Sequence, residues 1–224
     1  MNKLRHYIFI NPNDIHSKSH NRLNIIKKIH KNNYKNNENI KYWFYDDIYE
    51  LLNNYDKELS ELFTLINPIY PALLADIGRY IILFNFGRMY LDLKCMAKPE
   101  VYKLIHLTKK FRKNIKVIGW QHPTEKYRTR NGCIISLSKK NNFFNEILQN
   151  IKKKLLEEKE NNIQDGKTYV NGIGGYYYNS LFKNYEKINK VTKFPLHKKI
   201  IKINRKIYKM NFVRWQHTHE KLFL

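Results

Sequence analysis

The sequence predicts an α/β fold. Two observations carry this. Strand-like and helix-like segments alternate through the first half of the chain. Charge and polarity also gather at the end of a short apolar strand, "MYLDLK", where α/β proteins usually place their sites.

The elements follow in order. "HYIFINP" (6–12) reads as a strand closed by a turn at Asn11-Pro12. "HNRLNIIKKIHKNN" repeats Leu23, Ile26 and Ile29 at helical spacing. "IKYWFY" (40–45) is an aromatic-rich strand, and Asp46 or Asp47 is placed to cap one helix through "IYELLNNYDKELSELFTLI". The next helix carries Pro71 in its first turn and Gly87 just past its end. Leu73, Ile77, Tyr80, Ile81 and Phe84 form its apolar stripe, with Asp76 and Arg79 one turn apart beside it. Further on, "IKVIGW" (115–120) and "CIISLS" (133–138) read as strands, and "NNFFNEILQNIKKKLLEEKENN" as a helix. Gly172, Gly174 and Gly175 predict a loop before a helix, and "KKIIKINRKIYKMNF" (198–212) predicts a strand. No repeat or linker divides the 224 residues, so one domain is expected.

Composition narrows the classes. The chain is 42% hydrophobic, enough for a sizeable core. Its only cysteines, Cys95 and Cys133, argue against a disulfide framework, and no Cys/His cluster has zinc spacing. No segment has a signal peptide's pattern or the length of a membrane span, so a cytoplasmic or membrane-peripheral protein is expected. The net charge is +23. Residues 1–100 hold 14 Lys/Arg against 11 Asp/Glu, whereas 101–224 hold 28 against 8. Such a field suits polyanions, phosphate-bearing ligands or an anionic membrane surface. A Lys-, Asn- and Ile-rich composition of the kind an AT-rich genome produces accounts for it equally.

The candidate chemistry lies in "YPALLADIGRYIILFNFGRMYLDLK" (70–94). An Asp at a strand end can bind a divalent ion, a ribose or sugar hydroxyls. A nearby Asp/Arg pair offers an acceptor and a donor to further hydroxyls. A surface ion pair and an unrelated strand Asp would give the same letters.

This block resembles the central block of the DXD-type glycosyltransferases of family 32, the capsular-polysaccharide and yeast mannosyltransferase type. It is also similar to the matching block of large clostridial glucosylating toxins. The residues that match are Pro71, Ala75, Asp76, Arg79, Tyr80, Leu83, Gly87, Tyr90 and Asp92. Arg88 stands where the pattern has a second Gly, and Lys94 where it has the second Asp. Looser similarity covers "YWFYDD" and "NGCIISLSKKNNFFNEIL".

The resemblance implies a GT-A-like fold, a mixed and mostly parallel sheet flanked by helices, acting on a UDP- or GDP-sugar. The acceptor would be a glycan or glycoprotein hydroxyl. Residues 1–100 would form the nucleotide-sugar half and 101–224 a basic acceptor and closing half. Asp76, Arg79 and Asp92 would hold the donor sugar, and Asp92 a metal as well. Lys94 falls on a metal-ligand position, and a charged lysine cannot bind Mn²⁺ or Mg²⁺. It would instead meet the diphosphate as a point charge. Phe9 and Trp43, with Tyr7, would lie near the base. From the tail, Arg214 and Trp215 would close over the donor, and His217 or His219 would add a metal or phosphate contact.

Two other readings use the same residues. Asp76 with Asp92-Leu93-Lys94 also spells the D…DxK constellation of metal-dependent nucleases. The charge alone would suit a nucleic-acid-binding module, though no binding motif supports one. A transferase that no longer turns over is a further alternative.

Overall fold

The computed structural model describes residues 4–34, 39–121, 129–161, 166–195, 201–204, 207 and 222–223. Arg214, Trp215, His217 and His219 lie outside the described residues, as does most of the segment expected to be a strand over 198–212.

Six strands make the main sheet, in the order β2-β1-β3-β6-β5-β7. They are β1 (Arg5–Ile8), β2 (Ile40–Trp43), β3 (Arg88–Leu91), β5 (Val117–Gln121), β6 (Thr129–Ser136) and β7 (Val191–Pro195). β1 runs parallel to β2 and β3, and β5 runs parallel to β7. β6 alone is antiparallel, joining β3 to β5. The other five strands therefore end at one common edge. A second sheet pairs β4 (Cys95–Ala97) with β8 (Ile201–Ile203).

Helices cover both faces, and each face has its own core. One core is built by α2 (Tyr45–Asn53), α3 (Lys57–Leu65), α4 (Pro71–Phe86), α6 (Asn142–Glu160) and α7 (Gly166–Lys187). The other lies under α1 (Asn21–Tyr34), α5 (Glu100–Phe111) and the small sheet. Strands buried on both faces explain the near-continuous apolar runs of β3 and β5. Among the described residues, no helix is long and apolar enough to cross a membrane.

α4 matches its expected bounds, because Pro71 starts it and Gly87 stops it. Gly87 has φ +62, and a Cβ there would stand 3.0 Å from the Ser138 carbonyl oxygen. The chain then turns through Arg88, also left-handed at φ 72, and enters β3.

Three local expectations are corrected. The single helix expected through 48–66 is two. Asp56 accepts a hydrogen bond from the Leu59 N–H at 3.0 Å and so starts α3 anew. Asp47 does not precede α2 but lies in its first turn, where its carboxylate accepts from the Phe44 N–H at 3.0 Å. The loop expected at Gly172–Gly175 is helix, part of α7. The reason is packing: Tyr178 and Phe182 from the same helix bury against Phe143 of α6, with ring centroids 5.8 and 6.0 Å apart. That contact outweighs the weak helix propensity of glycine.

Candidate functional site

The common carboxyl edge of the parallel strands is where Asp92 stands, one residue past the end of β3. Its backbone continues the β3–β6 ladder, with the Asp92 N–H donating to the Gly132 carbonyl at 2.8 Å. Residues 92–94 then turn tightly, and the Cys95 N–H donates to the Asp92 carbonyl at 2.7 Å.

α4 brings the second acid and the base to the same place. Arg79 donates to Asp76 Oδ1 at 2.7 Å, and the same Nη2 lies 3.6 Å from Asp92 Oδ1. The guanidinium is fixed on its other sides. Its Nη1 donates to the Asn131 carbonyl at 2.8 Å, its Nε donates to the Ala75 carbonyl at 3.3 Å, and its plane lies 4.8 Å from the Tyr90 ring centroid. Tyr90 donates to Asp92 Oδ1 at 3.1 Å, and the Asn131 amide donates to Asp76 Oδ1 at 3.3 Å. The side chains of Arg79, Asp76 and Asp92 are 6%, 13% and 30% exposed. Asp92 is thus the member that meets solvent, and the ion pair stands behind it.

β6 is shaped to reach this cluster. Between the pairs Ile118–Ile135 and Trp120–Arg130, β5 advances two residues while β6 advances five. The extra length is a bulge holding Asn131 and Gly132, a device that re-aims chain next to sites. A Cβ on residue 132 would lie 2.4 Å from Asp92 Oδ2. Any larger residue there would have to displace the Asp92 carboxylate.

The electrostatics follow from burial. Burial pushes the Asp76 carboxyl up to about 6; Arg79 opposes this shift and Asp92 adds to it. Burial works against the Arg79 charge, yet Asp76, Tyr90 and Asp92 together hold its pKa above the usual value. Burial likewise lifts the Tyr90 phenol well above its ordinary range. The arrangement is a desolvated ion pair supporting a partly exposed carboxylate.

The turn that carries Lys94 is held from behind. His30 in α1 bonds the Leu93 carbonyl through Nε2 at 2.9 Å and the Tyr42 hydroxyl through Nδ1 at 2.7 Å. Burial lowers the His30 pKa to about 4, so the ring is neutral, with Nε2–H donating and Nδ1 accepting. The Asn204 N–H donates to the Lys94 carbonyl at 2.8 Å, joining the turn to the end of β8.

The structure brings Asp76, Arg79 and Asp92 together, with Lys94 two residues on in the same turn. Phe9 and Trp43 stand further along this edge, both 3% exposed. Trp43 donates from Nε1 to His6 Nδ1 at 3.0 Å, and its ring carries the Lys41 ammonium at 3.7 Å. Phe9 is part of the opposite core, beside His20 at 5.9 Å. Tyr7 is buried too, sharing a 2.6 Å hydrogen bond with Tyr34. Sequence reasoning gives Asn131 and Gly132, which open the loosely similar "NGCIISLSKKNNFFNEIL" segment, no role at the site, and it misses His30; all three reach the site only through strand pairing or helix packing.

Mn²⁺ or Mg²⁺ fits these residues poorly. A hard cation needs several oxygen ligands. Here the one solvent-facing carboxylate has a guanidinium 3.6 Å away and a lysine two residues on. Among the described residues, no three His, Cys, Asp or Glu side chains stand together as metal ligands. The D…DxK nuclease reading also needs both acids aimed at one ion. Asp76 instead sits on a helix and is paired with Arg79.

The fold is that of a GT-A-like glycosyltransferase domain, with a six-stranded, mostly parallel sheet between helices. Among solved structures, the chain is similar to the PaToxG glycosyltransferase, at TM-score 0.50 and 14% identity, over 83% of this chain and 68% of that one. It also matches the glycosyltransferase domain of the YGT toxin in its UDP-bound form, at TM-score 0.43 and 10% identity, over 77% of this chain and 56% of that one. No family model matches the sequence. No curated protein matches it either.

Proposed function

We propose that this chain is a glycosyltransferase of the family 32 type. It moves a hexose from a UDP- or GDP-sugar to a hydroxyl of a glycan or glycoprotein acceptor. The observation that carries this reading is the Asp76–Arg79–Asp92 cluster at the carboxyl edge of a GT-A-like sheet. A D…DxK nuclease would share the acids but neither the fold nor the ion pair.

The roles follow from geometry and charge. Asp92, the most exposed member, accepts hydrogen bonds from donor ribose or sugar hydroxyls. Asp76 and Arg79 fix its position and contribute to the sugar pocket. In the reaction, the bond between the anomeric carbon and the β-phosphate oxygen breaks, a bond to the acceptor oxygen forms, and the acceptor hydroxyl's proton passes to the departing diphosphate or to water. Negative charge grows on the departing diphosphate. Lys94 meets that charge in this reading, doing in part what a cation does elsewhere. The base lies over the ends of β1 and β2, an edge that Trp43 and Phe9 support from the two opposite cores. Arg214, Trp215, His217 and His219 are assigned to the closing segment.

The test is direct. The chain is incubated with UDP- and GDP-hexoses, with and without Mn²⁺, and nucleotide release is followed. Donor-dependent release, lost in Asp92→Asn, supports the reading. Absence of release and of donor-dependent thermal stabilisation with every donor overturns it.

A further inference from the structure

Two of the most exposed large apolar side chains in the described structure stand on neighbouring turns. Phe111 is 70% exposed at the end of α5, and Ile188 is 61% exposed just after α7. Side chains of this size are normally covered, and an isolated one needs no explanation. Here the two turns are joined. The Lys116 N–H donates to the Lys190 carbonyl at 2.7 Å, Val117 and Val191 begin parallel strands side by side, and Arg112 donates to the Thr192 hydroxyl at 3.4 Å.

The surroundings of the pair are basic. Lys110, Lys113, Lys116, Lys187 and Lys190 are all exposed on the same two turns. Lys110 lies 5.1 Å from the Phe111 ring centroid. The acid of these turns, Glu186, is already paired with Lys193 at 3.0 Å. Protruding apolar groups on two adjoining, lysine-rich turns match the physical needs of an anionic bilayer: apolar area for the interface and cations for the headgroups. A nucleic acid would use the lysines but has less need of an exposed isoleucine.

We infer that this amino edge of the sheet, formed by the α5–β5 and α7–β7 turns, docks on an anionic lipid bilayer by inserting Phe111 and Ile188. β5 and β7 run parallel and begin here, and β6 sets β3 in the same direction as β5. The Asp92 edge therefore points away from the lipid, open to an acceptor in solution. This inference does not depend on the donor chemistry.

The experiment is vesicle co-sedimentation of the full chain. Phosphatidylcholine vesicles are compared with phosphatidylcholine–phosphatidylserine vesicles, and a single-stranded RNA oligonucleotide is titrated in parallel. Binding is expected only with phosphatidylserine, and it weakens with added salt. Phe111→Ala with Ile188→Ala should lower vesicle partition about tenfold and leave any RNA binding unchanged. Lys113→Glu with Lys190→Glu should abolish vesicle binding while circular dichroism stays native. Undiminished partition of the apolar double variant overturns the inference, as does equal binding to neutral vesicles. RNA binding that needs the same lysines, together with failure to bind vesicles, would reassign the surface to a polyanion.

Discussion

Asp92 Oδ2 occupies the space that a side chain on residue 132 would need, 2.4 Å from where a Cβ would stand. A glycine in a β6 bulge thus borders the most solvent-exposed acid of the cluster. Gly132→Ala should push the carboxylate off Arg79 and Tyr90. Stability should fall by at most about 1 kcal/mol, because the atom that must move is the end of a partly exposed side chain. Donor turnover should fall on the order of 100-fold, because small misplacements of a positioned group are that costly. Denaturant melts and nucleotide-release rates read the two effects separately.

Arg79 is the most enclosed charge of the cluster. Arg79→Met would leave Asp76 buried without its partner, and losing one member of such a pair costs about 3–5 kcal/mol. Arg79→Lys should be only partly tolerated, since a single ammonium cannot serve Asp76, the Asn131 carbonyl and the Ala75 carbonyl together. Urea unfolding of both variants checks this order.

Asp76 makes a signed pH prediction. Its folded-state pKa is raised to about 6 from 3.8, so the folded state holds the proton more tightly than the unfolded chain. The contribution of Asp76 to stability is therefore fully present below pH about 4 and lost as pH rises through about 6. The span is roughly 3 kcal/mol. Asp76→Asn should flatten that part of the stability curve. Donor affinity should run the other way, falling below pH about 6 as the Asp76–Arg79 pair is protonated apart; isothermal titration at several pH values reads it.

Arg88 carries φ 72, a left-handed conformation in which a Cβ is strained, directly after Gly87 at φ 62. Arg88→Gly should relieve this and stabilise the fold by about 1 kcal/mol. A thermal melt tests it: a lower melting temperature would mean that Arg88 contributes more through contacts than it costs in strain.

The site was half legible in the sequence. Asp76, Arg79 and Asp92 could be grouped because one helix and one strand, joined by a single glycine turn, place them by local geometry. Arg88, where the resembled pattern has glycine, was legible as a departure, and it takes φ 72, a conformation that favours glycine. The contacts of Asn131, Gly132 and His30 with the site were not legible, since β6 meets β3 and α1 meets the Lys94 turn through contacts far apart in sequence. The Gly172–Gly175 run misled for the opposite reason: local composition favoured a loop, and the aromatic packing of Tyr178 and Phe182 made helix. β4, three residues long, was too short to stand out, and both β4 and β7 exist through their partner strands.

The central claim is that Asp92, supported by Arg79 and followed by Lys94, acts on a nucleotide sugar. The most direct measurement is nucleotide release from UDP- and GDP-hexoses by the wild-type chain, Asp92→Asn and Lys94→Ala, each with and without Mn²⁺. Donor-dependent release that falls on the order of 100-fold or more in both variants, with little gain from Mn²⁺, is the predicted result. Release that requires Mn²⁺ and is indifferent to Lys94, or that survives Asp92→Asn, would contradict it.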